Sequence, residues 1–145
     1  MHLFDPRFGF AWYTEPCVFV DQFIHPRGTV EVAEALHDAI DHVLERKRRV
    51  IEQYDGLLMI HDWRKMADYD TAARVSFLKR MKGRNRRYLR QVVTLLPDRP
   101  LLKMAVETAN IVMALSTGGR LRVATEALRV LTELEVRVPI ANAWP

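Results

Sequence analysis

Three groups of residues in this 145-residue chain combine the types and spacing that chemistry requires. His61-Asp62-Trp63 closes the apolar run Leu57-Leu58-Met59-Ile60. An imidazole beside a carboxylate is the raw material of general acid–base catalysis. Neighbours on a strand point to opposite faces, however, so His61 and Asp62 cannot orient one another. His37 with Asp41, and Asp38 with His42, lie four residues apart and share a helix face, a spacing that could begin a metal site. Neither pair has a third ligand near it in sequence, and solvated pairs on a helix surface explain them better. Asp70-Thr71 stands where a helix should begin. A phosphate on Thr71 would meet the free N–H groups of that helix end, although capping alone accounts for both residues. The sole cysteine, Cys17, has no partner for a disulfide or a metal cluster and reads as a small core residue. There is no Gly-x-Ser-x-Gly elbow and no phosphate-cradling glycine loop, and Thr117-Gly118-Gly119-Arg120 closes a helix instead of opening one. No cofactor or metal is expected.

Charge is distributed unevenly. The formal net charge is +4, yet Thr71 to Pro97 holds eight basic residues and no acid, which leaves −4 for the remainder. Lys79, Arg80, Lys82, Arg84, Arg86 and Arg87 form the densest part and are the candidate partner-binding patch. Their plainest reading is a solvated helix end, where cations suit the dipole. As a docking patch they favour an acidic protein face or an anionic lipid head group over nucleic acid. The helix before them carries Glu31, Glu34, Asp38, Asp41 and Glu45, so a second copy of the chain is another candidate partner.

These groups must be held by elements, and the periodicities predict which. Leu57 to Ile60 is a strand buried on both faces, as in parallel sheets covered by helices, and such sheets gather their sites at the strands' carboxyl ends. Phe8, Phe10 and Trp12 alternate with smaller residues, Thr14-Glu15-Pro16 breaks the pattern, and Cys17 to Ile24 resumes it, which predicts an antiparallel hairpin at the sheet edge. Thr29 caps a long amphipathic helix with apolar residues Val32, Leu36, Ile40, Val43, Leu44 and Ile51, stopped by Tyr54-Asp55-Gly56. A second helix follows Asp70, with Val75, Leu78 and Met81 expected to face inward, and ends at Gly83. Tyr88 to Leu96 is a strand. Asp98-Arg99-Pro100 opens a third helix reaching Ser116, whose apolar surface is wider than one sheet contact needs. Leu121-Arg122-Val123 is a short strand, and Thr125 is expected to cap a last helix carrying Leu128, Leu131 and Leu134. A tail, residues 135–145, shows no period. With 49% hydrophobic and 28% charged residues, one α/β domain with a full core is expected, in the order β-β-α-β-α-β-α-β-α. The absence of an apolar leader and of a membrane-length apolar run makes the cytoplasm the expected compartment.

That order, with these lengths, resembles the STAS domains, the anti-sigma-factor antagonist fold, and within them the SpoIIAA-like group that also carries a SEC14-like label. The resemblance covers Phe8 to Leu134 and rests on topology and on the layout of Gly56 to Arg74 and Pro97 to Gly119. It implies a mixed sheet with helices mainly on one side and a bacterial signalling role exercised by binding, without catalysis. The loop after the central strand, with Asp62, Trp63, Asp70 and Thr71, and the helix Ala72 to Lys82 would meet a partner protein. The family's phosphorylated members carry an Asp-Ser-Ser-Gly motif. Here the local match is Asp70-Thr71-Ala72-Ala73, with Ala72 at the phosphoacceptor position, so the usual switch is absent or moved to Thr71. The second reading is a carrier or sensor of a lipid or other apolar ligand, with Leu101 to Leu115 and the aromatic hairpin lining a cavity. An enzyme of unknown chemistry is the third.

Overall fold

A computed structural model describes residues 4–117 and 120–136, with the side chains of 112–117 and 120 left aside. Strand β1 (Gly9–Thr14) runs antiparallel to β2 (Val18–Phe23), and the turn between them contains a cis Glu15–Pro16 bond. A two-residue strand β3 (Arg27–Gly28) precedes helix α1 (Val30–Arg46), whose cap Thr29 accepts a hydrogen bond from the Val32 N–H. The predicted long helix breaks at Lys47, and a short α2 (Arg48–Gln53) follows. Asp55 and Gly56 then turn the chain with φ of 56° and 108°, which delivers it into β4 (Leu57–Asp62). A Cβ on Gly56 would lie 2.6 Å from the Arg90 backbone nitrogen, so this turn requires glycine.

After β4 come β5 (Asp68–Tyr69), α3 (Thr71–Lys82), a 3-10 turn at Arg86–Tyr88, β6 (Leu89–Leu95), α4 (Pro100–Thr117), β7 (Arg120–Ala124) and α5 (Ala127–Glu133). The main sheet has the order β1-β2-β4-β6-β7, parallel from β2 onward, and β3 pairs with β5 in a separate two-stranded ladder. The structure is therefore mixed α/β, with β4 at the centre and buried along its whole length. Because the chain steps in one direction across the sheet, crossovers of one hand put their helices on one face. Phe19, Leu57 and Met59 pack there against Val32, Leu36 and Ile40 of α1, Ile51 of α2, Met81 of α3 and Val106 of α4. Val18, Val20, Leu58 and Ile60 face the other way, against Ala127, Val130 and Leu131 of α5.

Several expectations need correction. Val75 points outward at 60% exposure, and the inward row of α3 is Ala73, Phe77 and Met81, with Leu78 partly buried beside it. Leu128 is likewise exposed, and the cap of α5 is Glu126, not Thr125, with no side-chain capping bond. Of the hairpin, β1 alone lies at a sheet edge; its partner β2 is interior. The tail from 137 onward lies outside the described residues, as do Gly118 and Gly119. Among the described residues, no helix is long and apolar enough to cross a membrane.

Candidate functional site

His61 sits near the carboxyl end of β4, and its cross-strand neighbour in the parallel register is Asp21 of β2. Residues opposite one another in a ladder share a face, so the two side chains meet. His61 Nδ1 is hydrogen-bonded to Asp21 Oδ2, and the indole Nε1–H of Trp63 donates to Asp21 Oδ1 at 3.2 Å. The side chains of His61 and Asp21 are 1% and 0% exposed. Burial raises the Asp21 carboxyl above the usual carboxylate range, and the charge and hydrogen bond of His61 pull it back. The sequence reading missed this pair because it tested His61 only against its neighbour Asp62. A signal was present: Asp21 is a lone acid within a run otherwise suited to a buried strand, and a buried acid demands a partner.

Asp62 belongs to the opposite face of the sheet. Its carboxylate accepts from Gln22 Nε2 at 3.0 Å and from Arg64 Nε and Nη2 at 2.8 and 2.9 Å. This bidentate clamp ties the turn after β4 to the strand. Trp63 is buried, stacked on His61 and Phe23 with ring centroids 5.4 Å apart in both cases. The expectation that Asp62 and Trp63 present themselves to a partner is thus corrected, since both are consumed internally. The loop is also fastened further along: β5 pairs with β3, and Asp70 binds Arg27 Nε at 2.8 Å instead of capping α3 through its side chain. Thr71, the first residue of α3, is exposed, and its hydroxyl accepts from Arg74 Nη2 at 3.0 Å.

Half of the basic run is spent inside the molecule. Arg80 pairs with Glu34, Asp38 and Asp41 of α1 at 2.5 to 2.8 Å. Arg84 binds Asp41 at 2.7 Å, donates from Nη1 to His37 Nδ1 at 2.6 Å and from Nη2 to the His37 carbonyl at 3.1 Å. Arg87 reaches Glu52 at 3.1 Å. Of the six patch residues, Lys79, Lys82 and Arg86 have no acidic partner among the described residues. The acidic face of α1 therefore meets part of the basic run of its own chain, through Glu34, Asp38 and Asp41. His37, expected in solvent, is fully buried. No cluster of three metal-ligating side chains occurs among the described residues.

On the His61 face, under α3 and α4, lies a small pocket with a cavity volume of about 30 Å³. Trp63, Phe77, Leu78, Val92 and Val106 contribute its apolar walls, and His61, Tyr69, Arg74, Thr94 and Asn110 its polar groups. His61 Nε2 and Arg74 Nε are both buried without a hydrogen-bond partner. The aromatic hairpin takes no part in the lining among the described residues, contrary to the carrier reading. An open groove of about 480 Å³ adjoins it at the strand ends, between Ala67–Tyr69 and Asp98–Ala105, with Tyr69 and Arg74 lining both spaces.

No protein-family model matches the chain, and no curated protein does either. Chemically, the site offers a buried imidazole oriented by a carboxylate, as in acid–base dyads. Among the pocket's lining residues there is no serine or cysteine nucleophile beside Nε2.

Proposed function

We propose that this chain is a regulatory binding domain of STAS-like topology that docks a partner protein and performs no chemistry of its own. The sheet with its helices mainly on one side is what such a domain requires. The observation that carries the reading is the groove at the strand ends, where apolar surface stands in solvent. Leu101, 78% exposed, lines the groove, and Met104 on α4 and Val75 on α3 are 58% and 60% exposed. Arg74, Arg99, Asp68 and Asp98 rim it with both signs of charge. Apolar anchors inside a charged rim are the usual composition of a protein-docking surface. The partner would meet α3 and the start of α4, displaced from the basic run that the sequence singled out.

A photo-reactive amino acid at position 101, in chain expressed in its source cells, tests this. A single protein should cross-link reproducibly, and Met104→Glu with Val75→Glu should abolish the product while leaving the thermal midpoint unchanged. Absence of a discrete product, or one indifferent to both substitutions, would contradict partner docking here. A product of twice the chain's own mass would make the partner a second copy.

A further inference from the structure

We infer that the inner pocket is a binding site for a short carboxylic acid, held between Arg74 and the Asp21–His61 pair. This goes beyond the docking proposal and does not depend on it. Two residues of different elements, His61 on β4 and Arg74 on α3, line one cavity, and His61 Nε2 and Arg74 Nε are buried without protein partners. A buried group without a hydrogen bond is costly, and two around one space point to something that fills both.

The chemistry of the two atoms narrows the class. Arg74 is a permanent cation with no ion-pair partner among the described residues; its single side-chain bond there goes to the Thr71 hydroxyl. No aspartate or glutamate lines the pocket. An anionic oxygen is the complement of such a guanidinium. His61 Nδ1 is committed to Asp21, so Nε2 is free to share one proton with a second oxygen of the same ligand, with Asp21 as the buried counter-charge. A carboxyl group supplies both oxygens at once.

The rest of the cavity selects the body. Trp63 and Phe77, ring centroids 5.4 Å apart, together with Val92 and Val106, offer no further charge, so the remainder of the ligand must be apolar. A cavity of about 30 Å³, room for about two waters, restricts the ligand to the smallest acids, well short of a fatty acyl chain. The outer groove gives the route in, past Tyr69 and Arg74, which belong to both spaces.

The indole N–H of Trp63, hydrogen-bonded to Asp21, is a reporter within the site. Titration of the ¹⁵N-labelled protein with acetate, propionate and butyrate at constant ionic strength should move this resonance saturably. Propionamide, of similar shape but uncharged, should leave it in place. Arg74→Gln should weaken the acid at least about tenfold, the loss expected for one charge-assisted hydrogen bond. Arg99→Gln, which changes a groove cation that does not line the inner pocket, should bind as the wild type does. No saturable shift with any of the three acids would overturn the assignment. So would an equal response to propionamide or chloride, or an Arg74→Gln protein that binds normally.

Discussion

At the junction of α1 and α3, His37 faces a guanidinium at close range, and its protonation follows from that contact. Arg84 Nη1 donates to His37 Nδ1, so that nitrogen keeps its lone pair and the ring is neutral. Burial first, and then the charge of Arg84, lower the His37 pKa from 6.5 to about 2. The unfolded chain takes up this proton near the ordinary value and the folded one does not. The corresponding stability is complete above pH 6.5 and is lost as the pH falls below it, by up to about 1.4 kcal/mol per pH unit. Asp21, whose pKa is raised, acts in the opposite sense, but it does so equally in wild type and in a His37 variant. Urea unfolding at pH 7 and pH 5 should therefore show the wild type losing about 1–2 kcal/mol more than His37→Asn. Parallel losses would contradict the assignment. Arg84 itself, only 12% exposed, should cost about 2–4 kcal/mol when replaced by alanine, because Asp41 and His37 lose a donor. Lys82→Ala and Arg86→Ala should stay within about 0.5 kcal/mol. The sequence showed the acids of α1 and the arginines in and just after α3, but they are some forty residues apart. Nothing short of the packing of the two helices could show that they neutralise one another.

Single elements were legible to the extent that their pattern was unambiguous. Leu57 to Ile60 is apolar on both faces, and it is the central strand with a core on each side. Thr29 with Val32, Leu36 and Ile40 has both a cap and a period, and α1 begins and buries as expected. On helix α3 the sequence pointed to Val75, Leu78 and Met81 as the inward row, whereas the structure buries the row Ala73, Phe77 and Met81. The latter row is buried because Phe77 can fill the space between His61 and His37, with ring centroids 5.9 and 4.6 Å away. Phe77→Ala should accordingly cost about 2–4 kcal/mol, and Val75→Ala almost nothing, as judged by urea midpoints. The turn into β4 is equally specific. Gly56→Ala forces a Cβ onto the Leu89–Arg90 backbone at a positive φ and should destabilise by at least about 1 kcal/mol in the same measurement. The pairing of β3 with β5 was invisible beforehand, since two-residue strands carry no periodicity.

Across the whole molecule, the sheet order β1-β2-β4-β6-β7 brings residues distant in sequence to one end of the parallel strands. Element order was readable because the apolar runs and breakers alternate clearly along the chain. The site was half readable: the carboxyl end of β4 is where it lies, but its second half, Asp21, comes from a strand forty residues earlier whose register no single sequence displays. Helices α3 and α4 then roof the His61 face, and Leu101 at the start of α4 remains in solvent in the groove. The docking surface and the inner pocket thus share the wall formed by Tyr69 and Arg74. The inner pocket depends on β2 and β4 lying side by side with His61 held by Asp21. Long-range ¹H–¹⁵N correlation of the histidine rings reads that arrangement directly. The wild type should carry the His61 proton on Nδ1, and Asp21→Asn, which can present an amide donor instead of a carboxylate, should move it to Nε2. An averaged, exchanging ring that is the same in both proteins would contradict the account.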